Sequence, residues 1–465
     1  MTRKSFEFLV MVAVFTYLAR GFAVRVADPD LWGRFAVGKL YLERGEMPTT
    51  DPFAYTPTLP TWVDHEWLSG VVFYGIYAGL GLGGILIAKT LLGLVAVAIA
   101  AWTSRRSEHL PTAALIALSM PVFGYGMMPR AQLFTYAFFA LWLAILEAYR
   151  RGGTARWLWV LPVTMIPWVN LHAGFLAGLG LLGMYAVGSI GERRFRVLAP
   201  LVVLTTLVTL TNVYGFEYWL YLVHAVPMRR PTVAEWSPVP FTLGDLPFWL
   251  LAAAVVVAMV RLVRQKDSRT QLLVLGVTLV LAVLHARHMP LFALAAIALV
   301  PPVLFPPRER EAGEYFPWLA GVTAALIAML QVGGLYADGP CTLLVSEPMP
   351  HIKHTIVFPV QSVAAAVELK LKGNLAVPFN WGEYAIWHLP DCRCSMDGRY
   401  ETVYPDSTVQ LSEDFFAGRS RKLLDDYPTD HVLAPAASPV NDMLARDPEW
   451  RVLQTDEVST LWSRR

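Results

Sequence analysis

Charge is what this chain has least of. Asp, Glu, Lys and Arg make up 16% of its 465 residues, where an ordinary soluble domain carries about 25%. Hydrophobic residues reach 55%, and the mean hydropathy is +0.45. Such a balance excludes an ordinary soluble enzyme and places the chain in the polytopic membrane class. Neither sign of charge dominates, and the net value of +2 leaves no basic surface for a polyanion, so nucleic acid is excluded as a partner. Cysteine is nearly absent. The three present, Cys341, Cys392 and Cys394, cannot all pair within one chain. One bridge from Cys341 to Cys392 or Cys394, or three free thiols, both remain open. The sequence has no GxSxG, no Walker loop and no GxGxxG between strand and helix, so nucleotide hydrolysis and dinucleotide binding lack a motif. It also lacks low-complexity segments and fixed-period repeats, which excludes a solenoid. The first apolar run, after MTRK, carries Arg20 and is followed by Arg25 rather than by a cleavage site, and reads as an uncleaved helix.

Long apolar runs are what the chain has in abundance. A bilayer crossing needs about 20 mostly apolar residues. Candidates fall at 5–23, 83–103, 110–128, 131–149, 156–170, 172–190, 197–213, 246–264, 270–286, 289–305 and 316–336. Eleven crossings would place the two termini on opposite sides. The positive clusters at Arg105/Arg106, Arg150/Arg151, Arg193/Arg194/Arg196, Arg264/Lys266/Arg269 and Arg308/Arg310 then share a side with Arg3 and Lys4. The positive-inside rule makes that side the cytoplasm. Residues 67–80 are apolar but too short to cross, and read as an interfacial or re-entrant helix leading through Gly79, Gly81, Gly83 and Gly84. The opposite side collects the unusual polar residues: the loop 24–66, the turns at 128–130, 170–172 and 285–288, and the loop 214–245. After about residue 337 the composition turns mixed and polar, with strand-like alternation in NLAVPFNWGEYAIWHLP. The expectation is therefore an α-helical polytopic membrane protein with about 11 transmembrane helices over 1–336. A small soluble extracytoplasmic α/β domain follows over 337–465.

The stretch from Asp28 to Trp67 holds the chemistry. Asp28 and Asp30 end the first apolar helix, and Asp51, Asp64, His65 and Glu66 follow. A carboxylate at such a place can deprotonate an acceptor hydroxyl or hold a divalent cation. Asp-Pro-Asp is also ordinary turn chemistry. His65 and Glu66 open a HExxH pattern that no second His completes, which argues against a metalloprotease.

DPDLW, then Gly38 and Gly45, then PTTDPFAYT, then Trp62 and HEWL together resemble the first external loop of the GT-C superfamily of polyprenyl-phosphate-dependent glycosyltransferases. The likeness continues through PRAQLFTY at 129–136, WVNLHAGFLAG at 168–178, RHMPLFALAA at 287–296, and NWGEYAIWHLP with DGRY in the tail. It departs at Gly33 and Arg34, where the family pattern has Trp and His. The resemblance implies a GT-C-like fold in a bacterial inner membrane. The activity it implies is transfer of a sugar, usually with inversion, from a polyprenyl-phosphate lipid to a glycan, lipid or protein acceptor outside the cytoplasm. On it, Asp28 is the base, with Asp30 as its alternative. Arg130, His285, Arg287 and His288, at outer helix ends, are the candidates to grip the lipid phosphate. TVAE, ending at Glu235 before Trp236, looks like the TIXE-type motif of oligosaccharyltransferase catalytic subunits, where a Glu assists the metal site. Asp51, His65, Glu66, Glu235 and His172 are thus candidates for a metal or acceptor site, with Mg2+ or Mn2+ as the candidate ions. Asn380–Tyr384 is similar to the acceptor motif of those enzymes but lacks its WWD core, and reads as packing. Two other classes remain. A non-catalytic GT-C-like scaffold or accessory subunit would tolerate loss of Asp28 and Asp30. A transporter would favour mid-membrane charge, of which Lys89 is the main example, and internal repeats that are absent here.

Overall fold

The computed structural model describes residues 1–228, 234–265, 268–307, 318–337, 339, 341–345 and 357–465. Lys266, Arg308, Arg310 and the Thr232–Val233 half of TVAE lie outside these. In chain order the helices are α1 (Arg3–Phe22), α2 (Pro29–Arg44), α3 (Trp67–Thr103), α4 (His109–Ser119), α5 (Gln132–Arg150), α6 (Val160–Leu171) and α7 (Phe175–Gly188). They continue as α8 (Phe195–Val208), α9 (Phe216–Ala225), α10 (Leu246–Val263), α11 (Arg269–Leu284), α12 (Met289–Leu299), α13 (Pro301–Leu304) and α14 (Trp318–Ala337). Each of the eleven predicted apolar stretches contains helix among the described residues, but fewer of them are long enough to count as crossings. By length and composition, six helices can cross a membrane among the described residues, or seven if the pair Phe195–Thr211 and Phe216–Ala225, bent by 101°, counts as one span. The second half of that pair, α9, lies in a stretch expected to be loop.

The chain divides into two compact units: 1–24 with 86–219 and 226–341, and 25–85 with 220–225 and 342–465. The first is helical. Its centre is α12, where every residue from Phe292 to Val300 is fully buried. A helix apolar on all sides belongs in a core. By contrast, Val256, Val257 and Val260 on α10 and Leu326, Met329 and Leu330 on α14 are exposed. An apolar exterior on helices of this length suits lipid rather than water. The mid-helix charge of Lys89 is buried, its Nζ donating to the Phe22 carbonyl at 2.9 Å and the Met127 carbonyl at 2.8 Å. It thereby satisfies an orphan carbonyl at the end of α1. Arg150 and Arg151 are held by Glu147, which is fully buried and also accepts from the Tyr185 hydroxyl at 3.0 Å.

Helix α3 is broken at Gly81, whose φ of 62° and ψ of −163° only glycine adopts freely. The break leaves 67–80, about 21 Å long, and 82–103, about 33 Å long, at 1.5 Å per residue. Only the second piece matches an apolar bilayer core of about 30 Å.

The second unit holds a five-stranded sheet. Its strands are β1 (Gly373–Ala376), β2 (Cys392–Cys394), β3 (His431–Pro435), β4 (Trp450–Thr455) and β5 (Ser459–Arg464), ordered β2-β1-β3-β5-β4. Strands β2, β1 and β3 run parallel, and β3, β5 and β4 antiparallel. The first loop extends this sheet, with Ala54 bridging Cys394 in parallel. Val37, Tyr41 and Trp62 share a core with Met396, Val403 and Tyr404. NWGEYAIWHLP corrects the strand reading: after β1 it forms α16 (Phe379–His388), which follows α15 (Val360–Glu368). Every residue from Trp381 to Ile386 is buried, so the run is enclosed on all sides rather than alternating as a half-buried strand would. All three cysteines are free thiols, Cys341 exposed and Cys392 and Cys394 buried.

Candidate functional site

In the second unit the acidic residues gather around the start of α2. Asp28 is the N-cap: its side chain accepts the Asp30 amide at 3.0 Å, Pro29 follows at the first helical position, and Asp28 is fully buried. This is the favoured chemistry of a helix start. Asp30, one step into the helix, is half-buried. Beside it stands a carboxylate from the Asn380–Tyr384 stretch, which by sequence reads as packing. Glu383, on α16, is 3% exposed and accepts the Gly33 amide at 3.0 Å. Burial first, and then the nearby Asp30 carboxylate, hold the Glu383 carboxyl well above its ordinary value.

Glu383 also accounts for the first departure from the family pattern. A Cβ at residue 33 would stand 2.1 Å from Glu383 Oε2, so only glycine leaves the carboxylate its place. The second departure has a partner too. Arg34 Nη1 donates to Asp64 Oδ1 at 2.6 Å, and the Tyr41 hydroxyl reaches Asp64 Oδ2 at 3.2 Å. Both charges are buried, and the pairing makes that burial tolerable. The useful sequence signal was the departure itself, because two unusual residues in a row require unusual partners.

Asp51 is engaged on both oxygens. One accepts the Phe53 and Ala54 amides at 3.1 and 2.7 Å, the other Arg399 Nη1 at 2.5 Å. Arg399 also grips Asp397 through two nitrogens at 2.8 and 2.7 Å, and the Tyr404 hydroxyl adds a bond of 2.6 Å to Asp397. Burial would raise the Asp397 carboxyl, but Arg399 overrides it and holds it low. This knot, with DGRY at its centre, pins the first loop to the tail. His65 stacks on Tyr221 at 5.6 Å, with its Nε2 3.5 Å from Glu66. Burial works against its charge, yet the Glu66 carboxylate prevails and raises its pKa.

In the first unit the predicted cations converge on Glu235. Arg130 Nη1 donates to Glu235 Oε2 at 2.7 Å, and Arg287 Nη1 lies 4.0 Å from Oε1. The Arg287 guanidinium sits 4.1 Å from the centre of the Trp236 ring. His285 Nδ1 donates to the Trp236 carbonyl at 2.6 Å, and the His288 ring lies 6.0 Å from that of His285. His172 accepts the Gly174 amide at Nδ1, 2.9 Å away, with the Thr135 hydroxyl at 2.8 Å from the same nitrogen. Its positive form would add to the field on Glu235. Burial favours a neutral Glu235, but Arg130 and then Arg287 outweigh it and hold the carboxylate charged. Spacing alone put Arg130, Glu235 and Arg287 more than 50 residues apart; the fold makes them one group. Among the described residues, no three His, Cys, Asp or Glu side chains stand together so as to hold a metal ion.

These features define the class: a polytopic helical membrane protein with a GT-C-like fold and a small C-terminal sheet. Solved structures carry that assignment. The Archaeoglobus fulgidus oligosaccharyltransferase is matched over 92% of this chain and 69% of its own, at 12% identity and a TM-score of 0.58. ArnT from Cupriavidus metallidurans is matched over 98% of this chain and 97% of its own, at 15% identity and a TM-score of 0.54. The arabinofuranosyltransferase AftD from Mycobacteria is matched over the whole chain at 13% identity and a TM-score of 0.58, although the chain spans only 40% of that protein. All three are GT-C glycosyltransferases. At these identities the likeness is one of fold. Neither a protein-family model nor a curated protein matches the sequence.

Proposed function

We propose that the protein is an integral-membrane glycosyltransferase that moves a sugar from a polyprenyl-phosphate lipid to an acceptor hydroxyl outside the cytoplasm. The supporting observation is the carboxylate pair at the start of α2, held by a buried cap in a chain with this fold. Fold alone does not name a reaction, so the reading rests on what these groups can do. Burial reverses the order that the resemblance implies, in which Asp28 is the base: Asp30, the more exposed of the two, takes the proton of the acceptor hydroxyl. Asp28, fully buried under its capping bond, positions it. The acceptor oxygen bonds to the anomeric carbon from the face opposite the leaving group, and the bond from that carbon to the phosphate oxygen breaks. The electron pair leaves with the lipid phosphate. Arg130, Arg287, His285 and His288 meet that phosphate, Arg by its bidentate geometry. One solved structure of the oligosaccharyltransferase holds a dolichol-phosphate, another an acceptor peptide. They support a lipid donor and a separate acceptor for this chain. We place the chain in a bacterial inner membrane with its tail on the outer side, on the arrangement of the positive clusters.

The test is a glycan and glycolipid profile of cells carrying Asp30→Asn or Asp28→Asn. Loss of a general base costs about 100- to 10,000-fold, so Asp30→Asn should erase the product. Asn caps a helix about as well as Asp, so Asp28→Asn should leave product within about tenfold of the parent. Loss in Asp28→Asn alone reverses the two roles, and equal loss in both makes Asp28 as necessary as Asp30. An unchanged profile in both supports a scaffold instead. The same assay with EDTA, and with Mn2+ added back, decides whether a divalent cation takes part.

A further inference from the structure

Glu235 answers to two guanidinium groups at once, and this has a consequence for any anion that comes to them. We propose that Glu235 is a built-in counter-anion: its carboxylate competes with a phosphate monoester for Arg130 and Arg287, so that the phosphate binds by displacing it. This rests on the reading that these arginines meet a lipid phosphate.

The geometry is specific. Glu235 is 8% exposed and sits in a single 3-10 turn, Ala234–Trp236. One of its oxygens lies 2.7 Å from Arg130 and the other 4.0 Å from Arg287. The turn is fixed by its next residue, since Trp236 carries Arg287 on its ring and offers its carbonyl to His285. A guanidinium pair without an anion would be two like charges in a partly buried place, which is costly. The Glu235 carboxylate lowers that cost. A phosphate monoester brings up to two negative charges and three acceptor oxygens, so it matches the pair better than Glu235 does. The competitor is the Glu235 carboxylate charge, held by its bond to Arg130 and its approach to Arg287. Removing that charge should tighten phosphate binding, whereas a purely structural or metal-assisting glutamate would leave it unchanged or weaken it.

The experiment uses the full-length protein in detergent, with farnesyl phosphate, inorganic phosphate and farnesol as calorimetric probes. Glu235→Gln should bind farnesyl phosphate about tenfold tighter than the parent, within the usual range of coupling between competing contacts. Farnesol should bind both proteins equally. A matching gain for inorganic phosphate assigns the competition to the headgroup; a gain for farnesyl phosphate alone assigns it to the lipid form. Where Glu235→Gln does not purify folded, Glu235→Asp, whose shorter side chain loosens the Arg130 bond, should show a smaller gain. Arg287→Ala and Arg130→Ala separate the two levels of the argument. If neither weakens farnesyl phosphate binding, the lipid-phosphate reading fails. If both weaken it and the Glu235 variants bind no tighter than the parent, only the counter-anion fails.

Discussion

Gly33 and Glu383 show how much one residue's identity depends on another 350 positions away. The glycine is required by a carboxylate, not by its own backbone. Adding a methyl at Gly33 should force Glu383 out of its place, and overpacking of this kind costs about 1–3 kcal/mol. Gly33→Ala should lower the melting temperature, and Gly33→Ala with Glu383→Ala should lower it by less than the sum of the two single changes. Strict additivity in that cycle would show that the two do not interact. Glu383 also makes a pH prediction. Its folded pKa is raised above the ordinary 4.5, so the stability tied to its proton is complete below that value and is lost as pH rises above it. Glu383→Gln carries no such proton. The melting temperature of the variant minus that of the parent should therefore grow between pH 5 and pH 8. A flat difference would mean that Glu383 does not titrate this way.

At the scale of elements, the apolar runs were legible because a helix in lipid must satisfy its backbone alone and needs length to do so. What polar groups do between helices was not legible. Arg150 and Arg151 were read as a topology signal, and they are also the partners of Glu147, which Gln271 on α11 approaches at 3.4 Å and Tyr185 on α7 at 3.0 Å. Removing one member of a buried ionic group leaves the others uncompensated, at about 3–5 kcal/mol. Glu147→Ala should thus unfold at markedly lower temperature in detergent than the parent, and an unchanged transition would dismiss the network as a stabilising element. The tail shows the opposite error. NWGEYAIWH has enough alternation to pass for a strand, but it forms α16, with burial unbroken from Trp381 to Ile386. Short apolar runs are ambiguous between the two periods, and tertiary contacts settle them.

At the scale of the molecule, the cysteines offer a probe of topology and packing together. Cys341 is exposed, while Cys392 and Cys394 are buried, and burial pushes the Cys392 thiol up to about 11. A membrane-impermeant maleimide at pH 7 should label one cysteine per chain in cells with a permeabilised outer membrane, and three only after denaturation. Cys341→Ser should abolish the native label. A label that requires permeabilising the inner membrane would place this part of the chain in the cytoplasm.

The sequence by itself determined the membrane class, the positions of the apolar helices other than α9, the change of character near residue 337 and the carboxylates of the first loop. These follow from composition and local periodicity, which act over one helix length. Only the tertiary structure decided that Glu383 stands beside Asp30, that Arg399 ties Asp51 to Asp397, and that Arg130 and Arg287 share Glu235. Those pairings span 52 to 353 residues, apart from Arg399 and Asp397, which are two apart. The reason is that a buried charge must find an opposite charge or a hydrogen-bond donor wherever the fold brings one near, and sequence separation does not enter that energy.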